Sequence, residues 1–325
     1  MNSVEFLYLS QKDVLDLNLS IEALTDLVEE GLKEHGLQRV ENPPKPGIHA
    51  MKDSFIHAMP SYLRGPHLGG IKWVSGYPSN REKDLPTIMG VLILNDMDTG
   101  APVCMMDCGW ITAVRTAAVS AITAKYCASS CTRTLGIIGA GVQGRHNLVA
   151  LKKMIPGIEE AKVYDIVRPA AEKIKKDFED ELQVKITVCD DPEVAARDTQ
   201  ILLTATQKLP RPIVRKDWIS KGCLCFGLEN SRGWYGDAIL AADKFITDDW
   251  EQTKSFQQVG AFPDGLPTLY AELGDIVCGR KPGRESDDEM IVAMSIGLAL
   301  EDIMVGHKLY TMAKEKGIGQ TLRLL

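Results

Sequence analysis

The sequence predicts a two-domain α/β protein in which a doubly wound parallel sheet is joined to a second, mixed α/β domain. Three observations carry this. The chain has 325 residues, more than the ~250 to 300 at which a single core stops growing. From Thr134 onward, strand-like and helical segments alternate around a glycine-rich turn, Gly139 to Gly144. Between residues 70 and 106, by contrast, strand-like runs follow one another with no helical pattern between them. The domains are expected at residues 1–120 and 121–295, with a C-terminal helix at about 296–325 returning to the first.

The elements follow from local pattern. Phe6 to Leu9 reads as a short strand, and Ser20 can cap a helix whose apolar positions Ile21, Leu24, Leu27, Val28 and Leu32 recur at helical spacing. Glu41 to Gly47 holds Pro43, Pro44 and Pro46, which predicts a loop and leaves Lys45 free to point into a site. Gly70–Ser75, Thr87–Leu94 and Val103–Met106 read as meandering antiparallel strands. The Ala-rich stretch Ile111–Ala128 reads as a helix bridging the domains, with Arg115 near its start. Leu135–Ile138, His146–Met154 and Ala161–Tyr164 form a βαβ unit. Further strands are expected at Ile186–Cys189, Gln200–Thr204, Cys223–Leu228 and Lys244–Thr247, and a long helix around Asp288–Lys316.

Composition excludes several classes. The formal charge of -7 and the absence of a basic cluster argue against a nucleic-acid partner, which needs a concentrated cationic face. The N-terminus has no basic start followed by an apolar run, and the longest apolar stretches fall short of the ~20 residues that span a bilayer. A cytoplasmic protein with no membrane association is therefore expected. The eight cysteines include no CxxC pair and have no His partners at zinc spacing, so they are read as free, mostly buried thiols, with no metal.

The segment Gly139-Ala140-Gly141-Val142-Gln143-Gly144 follows an apolar strand and opens a helix. Here the first glycine makes a tight turn, the second lets backbone approach a pyrophosphate, and the third lets helix and strand pack closely. The anion then sits against unpaired N–H groups at a helix N-terminus. Asp165 ends the second strand about 20 residues on, where a carboxylate accepts hydrogen bonds from a ribose diol. This is a Rossmann-type dinucleotide site, with Thr204, Ala205 and Thr206 at a neighbouring strand end also assigned to the cofactor. Asp165 repels a 2′-phosphate and favours NAD, whereas Arg168 could pair with that phosphate, so NADP stays open.

Lys45, His57, Lys72, Thr87 and Arg115 are the candidate substrate groups of the first domain. Several cations near one site suit a carboxylate, which Arg115 can grip through both oxygens.

Several separated motifs strengthen this reading. They are Met59-Pro60-Ser61-Tyr62, Gly70-Ile71-Lys72-Trp73, Leu85-Pro86-Thr87, the run from Met106 through Arg115 to Ala121, the glycine loop, and the stretch from Glu272 to Arg280 leading to Ser286-Asp287-Asp288-Glu289. With these, the chain resembles the ornithine cyclodeaminase and mu-crystallin family over nearly its whole length. The resemblance implies hydride transfer with NAD(P), a substrate-binding and dimer-forming first domain, and hence a homodimer. It also implies that Lys72 and Arg115 hold a substrate carboxylate and help move protons, with Thr87 nearby. Lys45 stands where the family has an arginine, keeping the charge but losing the fork.

Two departures bear on specificity. His57 replaces an acid of the ornithine-specific members, and Gly227-Leu228-Glu229-Asn230 replaces their Gly-Gly-Asp pattern, so Glu229 offers a carboxylate on a longer stem that could serve as acid or base. Ser231 to Tyr235 also lacks the family's usual Pro-Gly. The implied activity is transfer of hydride between the α-carbon of a small amino or imino acid and the nicotinamide. Cyclodeamination, alanine dehydrogenation, cyclic ketimine reduction, opine-type chemistry and non-catalytic binding of the mu-crystallin kind all remain open.

Overall fold

The computed structural model describes residues 3–207 and 209–325. In chain order the first elements are β1 (Glu5–Leu9), α1 (Gln11–Asp16), α2 (Ile21–Gly36), β2 (Val40–Glu41), β3 (Gly47–Ile48), β4 (Phe55–Leu63), β5 (Leu68–Gly76), β6 (Ile88–Asn95) and β7 (Pro102–Asp107). The chain continues through α3 (Gly109–Cys127), β8 (Thr134–Ile138), α4 (Val142–Met154), β9 (Glu160–Tyr164), α5 (Arg168–Leu182), β10 (Lys185–Val188), α6 (Pro192–Ala196), β11 (Ile201–Thr204) and β12 (Leu224–Gly227). Then follow α7 (Gly236–Leu240), β13 (Lys244–Thr247), α8 (Trp250–Gln258), β14 (Leu269–Glu272), α9 (Leu273–Val277), β15 (Ile291–Ala293), α10 (Ala299–Lys316) and β16 (Gln320–Arg323). Two compact units result, one of residues 1–115 with 297–325 and the other of residues 116–296.

Unit 1 is built on an eight-stranded sheet in the order β16-β1-β7-β6-β5-β4-β2, with β3 beside β4. Strands β4 to β7 form an antiparallel meander, while β1 runs parallel to β7 and antiparallel to β16. Alternate residues point to opposite faces. Met59, Lys72, Val74, Leu92, Leu94, Cys104 and Met106 are buried, and α10 packs on β4, β5 and β6 with α2 beside it. Gly306 permits that approach, because a Cβ there would lie 2.2 Å from Leu92 Cδ2. The opposite face carries Ile71, Val91, Ile93 and Met105 half-buried and Trp73 exposed.

Unit 2 is an eight-stranded sheet in the order β10-β9-β8-β11-β12-β15-β13-β14, parallel throughout. The chain leaves β8 toward β9 on one side and resumes with β11 on the other. That reversal is the switch point outside which open α/β sheets bind ligands, at the carboxyl ends of the strands. Gly139 and Ala205, which follow the paired ends Ile138 and Thr204, stand there.

Four readings of the sequence are corrected. Residues 288–298 are not helical: Ile291, Val292 and Ala293 form β15 inside the sheet, and a fully buried strand gives a continuous apolar run that periodicity cannot tell from a helix. The C-terminal helix does not extend over 296–325; it starts at Ala299 and stops at Lys316, where Gly317 takes φ +65° and β16 follows. Helix α4 begins at Val142 rather than His146. The proline-bounded loop is flanked by two-residue strands, β2 and β3, both paired with β4, whose own span was not foreseen.

Leu92 lies fully buried between β6 and α10. Leu92→Ala is expected to cost about 3 kcal/mol, as cavity-forming leucine truncations do. A loss under about 1 kcal/mol by denaturant titration would show that the site collapses freely and that α10 is not tightly seated there.

Candidate functional site

The candidate site residues gather in one polar constellation in each unit. In unit 1 it lies on the buried face of the sheet. Lys72, midway along β5, is 1% exposed and donates to Asp302 Oδ2 at 2.6 Å. Arg115, in the second turn of α3, donates through Nη1 to Glu301 Oε2 at 2.7 Å, with its Nε 3.4 Å from Asp302 Oδ1. Glu301 and Asp302 are fully buried in the first turn of α10, where the helix dipole favours negative charge. Two cations and two carboxylates thus balance in a dry setting, where unpaired charge would cost several kcal/mol.

Gly297 closes this cluster. It sits at φ +85°, and a Cβ there would fall 2.8 Å from Arg115 Nη1. Its carbonyl accepts from Lys45 Nζ at 3.1 Å, so one backbone residue brings Lys45 and Arg115 together. Burial first, and then the Arg115 cation, lower the Lys72 pKa, against the Asp302 carboxylate that raises it. Burial pushes the adjacent Cys108 thiol up to about 12.

His57 lies two residues from Met59, the cross-strand partner of Lys72, and so on the same face of β4. Its ring stacks on Phe55 with centroids 4.3 Å apart and meets His49 edge-on at 6.3 Å. Burial, then Lys45, His49 and Lys72 in that order, bring its pKa down to about 4. Thr87 precedes Leu92, the cross-strand partner of Lys72, by five positions, roughly 17 Å along an extended chain, and precedes Gly90, which is in register with Val74 and His57, by three.

The second constellation is the end of β8 in unit 2. Gly139 has φ +110°, and a Cβ there would meet Ala205 O at 2.5 Å; a Cβ at Gly144 would meet Gly139 O at 2.0 Å. Both glycines answer to the protein's own packing. Gly141 does not: a Cβ added to it meets nothing within 4 Å, and its φ of -75° suits any residue. It caps α4 without a side-chain hydrogen bond, and Val142 beside it is 62% exposed. The loop therefore presents bare backbone and helix-end N–H groups to open space, which fits a pyrophosphate.

Asp165 Oδ2 accepts from Ala140 N at 2.7 Å and Oδ1 from Val167 N at 2.8 Å, fixing the carboxylate at the loop while each oxygen keeps a lone pair. Arg168 pairs with Glu172 at 2.9 Å and with Asp190. Gln143 supplies its carbonyl to Asn147 within α4. Thr204 is fully buried, accepting from Trp234 Nε1 at 2.8 Å and donating to the Phe226 carbonyl, so its hydroxyl is a structural link. Ala205 N donates to Ile138 O, and Thr206 N to Glu229 Oε2 at 3.3 Å.

Glu229 follows β12 with its carboxylate turned inward. Its Oε1 is buried and has no hydrogen-bond partner among the described residues, as is Thr206 Oγ1. Gly233 makes room for the longer stem, since a Cβ there would fall 2.1 Å from Oε1. Burial raises the Glu229 pKa to about 7, against the Thr206 amide that donates to its other oxygen.

The sequence reading missed Glu301 and Asp302, although two adjacent acids inside the apolar run Leu298–Val305 must find buried partners. It also missed Ile166 and Val167, which are 90% and 56% exposed beside Asp165. Apolar residues at a strand end, where turn residues are usual, were the available signal. Among the described residues no group of three or more His, Cys, Asp or Glu could hold a metal ion, and no helix is long and apolar enough to cross a membrane.

The nodulation efficiency protein NfeD of Rhizobium meliloti is 35% identical over 316 residues, covering 96% of this chain and 97% of that protein. The solved Thermococcus litoralis Delta(1)-pyrroline-2-carboxylate reductase, in complex with NADH and L-proline, superposes with a TM-score of 0.87 at 32% identity, over 97% of this chain and 99% of its own. An archaeal alanine dehydrogenase dimer with bound NAD gives 0.88 at 31% identity, over 99% and 100%. The model of the ornithine cyclodeaminase/mu-crystallin family matches residues 5–317, and the chain belongs to that family.

Proposed function

We propose that this protein is a NAD-dependent oxidoreductase acting on a small amino or imino acid, with dinucleotide bound by unit 2 and substrate carboxylate by unit 1. The observation that carries the reading is Gly141, whose missing side chain leaves space that no protein atom uses. The alanine dehydrogenase and pyrroline-2-carboxylate reductase relatives, both solved with this cofactor, support it. Asp165 at the loop and Arg168 engaged by two acids favour NAD over NADP.

When bound, NAD supplies a hydride acceptor, or as NADH a donor, at its nicotinamide. The chain's own groups do the rest. Arg115 and Lys72 orient the substrate by its carboxylate, with Lys45 adding charge, and such orientation is worth several kcal/mol. Lys72 Nζ, its pKa lowered by burial and by Arg115, exchanges a proton with the substrate nitrogen. Glu229, poised near neutrality, is the group that exchanges a proton with water. Thr87 stays outside this scheme, and Thr204 serves by holding Trp234 and the end of β12.

We also propose a homodimer formed through the apolar outer face of the unit 1 sheet, where Trp73 is 41% exposed among half-buried Ile71, Val91 and Ile93. The dimeric alanine dehydrogenase relative supports this. A cytoplasmic location suits the eight thiols, none of which is in a disulfide.

Four outcomes are expected. Purified protein should change NADH absorbance with at least one member of a panel of amino acids, or of keto acids with ammonia and cyclic imines. Gly141→Ala should weaken NAD binding at least tenfold while leaving the melting temperature nearly unchanged; full affinity would place the pyrophosphate elsewhere. Glu229 has a folded pKa of about 7 against an ordinary 4.5, so wild type loses stability as pH rises through that window. Glu229→Gln should then be more stable than wild type by about 3 kcal/mol at pH 8, the advantage vanishing by pH 4.5. Finally, Trp73→Glu should shift the sedimenting species from dimer to monomer, and an unaltered dimer would assign the contact to another face.

A further inference from the structure

Resting on the reading of unit 2 as the dinucleotide unit, we propose that Asp190, assisted by Glu172, is a specificity-determining residue that keeps a 2′-phosphate, and with it NADP, out of the cofactor site. An acid in the place of Asp165 ordinarily meets the ribose alone. Here β10 runs parallel to β9 with Val188 opposite Val163, and Cys189 N donates to Val163 O at 2.8 Å. Two residues on from each valine, Asp190 stands level with Asp165, one strand spacing or about 5 Å away. Its side chain is 88% exposed, so packing does not account for a carboxylate there. What it touches is Nη1 of Arg168, the first residue of α5, while Arg168 Nε donates to Glu172 Oε1 at 2.9 Å, one turn further along that helix.

Arg168 is the group that would otherwise welcome a phosphate, because a guanidinium offers five N–H donors in a planar fork suited to phosphate oxygens. Both acids compete for that fork. Exposed ion pairs are individually weak, so the acids do not clamp the arginine, and their larger effect is through charge. Asp165, Glu172 and Asp190 set three carboxylates against one guanidinium. A 2′-phosphate would add roughly two further negative charges. At 0.1 M salt charge acts over about 10 Å, which spans neighbouring strand ends. The ribose diol of NAD is uncharged and indifferent to this field. Asp165 also holds the glycine loop, through Ala140 N and Val167 N, so replacing it would disturb the whole site. Asp190 and Glu172 make no bond to that loop, and their discrimination is therefore separable from it. Asp190 leads because it flanks Asp165.

Fluorescence titration of the full chain with NADH and with NADPH reads the two affinities directly. Wild type should bind NADH, and NADPH much more weakly. E172Q/D190N should tighten NADPH about tenfold, as two charges lifted from beside a dianion require, with NADH affinity and melting temperature little changed. Asp190→Asn alone should account for most of that gain, and Asp190→Glu, which keeps the charge, should keep the exclusion. Adding Arg168→Ala to the double variant should weaken NADPH again while NADH moves little. Equal wild-type affinities, a double variant that binds NADPH no better than wild type, or a gain shared equally by NADH overturns the inference and leaves the dinucleotide reading standing. Binding of neither nucleotide to wild type sinks both.

Discussion

Unit 1 depends on one constraint: two cations and two carboxylates, all buried, must neutralise one another. Lys72 and Arg115 cannot remain charged in a dry interior without Asp302 and Glu301, and those acids would be equally costly alone. The consequence reaches beyond the four residues. The start of α3 and the start of α10 are tied to each other and to the middle of β5, so three elements share one fixed point. Lys45 is added through the carbonyl of Gly297, whose lack of a side chain is what lets the guanidinium sit there. A balanced cluster of this kind is also responsive. Within it the Lys72 proton is loosened by burial and by Arg115, against the hold of Asp302.

Unit 2 uses the opposite strategy, presenting backbone rather than charged side chains. Its three loop glycines answer to different masters. Gly139 is required by Ala205 and Gly144 by Gly139, so both would be glycine in a protein that bound nothing. Only Gly141 has no internal reason. That asymmetry separates a ligand-shaped loop from a tight turn, and a motif written as three equivalent glycines does not show it. The inward-turned Glu229, tied to the Thr206 amide and given room by Gly233, adds a titrating group beside the same strand ends.

Much of this was legible in the residues. The glycine loop, the Asp165 strand end, the Ala-rich helix around Arg115 and the meander from Gly70 to Met106 are strong local patterns, and they led to the α/β class and the family. What escaped was set by tertiary context. Ile291 to Ala293 is too short and too uniformly apolar for periodicity to separate strand from helix, and it merged with α10. Strand β4 was hidden because Pro60 lies inside it, a residue that usually argues against a central strand. Glu301 and Asp302 were not singled out, because the partners that explain them lie far away in sequence. Thr87 was grouped with Lys72 as a polar group of the same domain, and the register of β5 on β6 sets it five positions from the cross-strand partner of Lys72.

The split composition of unit 1 has a consequence for biosynthesis. Asp302 lies 230 residues after Lys72, and Glu301 lies 186 after Arg115. A ribosome that has released the first seven strands and the start of α3 has therefore made the two cations long before their counter-charges exist. The nascent segment can form its hairpins, but its lysine and arginine must stay hydrated until the start of α10 has been made. The C-terminal strand β16 then pairs with β1, at the very beginning of the chain. Such long-range closure is slow. It makes α10 and β16 a checkpoint: a polypeptide cut short before them retains its glycine loop yet lacks the counter-charges that let Lys72 and Arg115 turn inward.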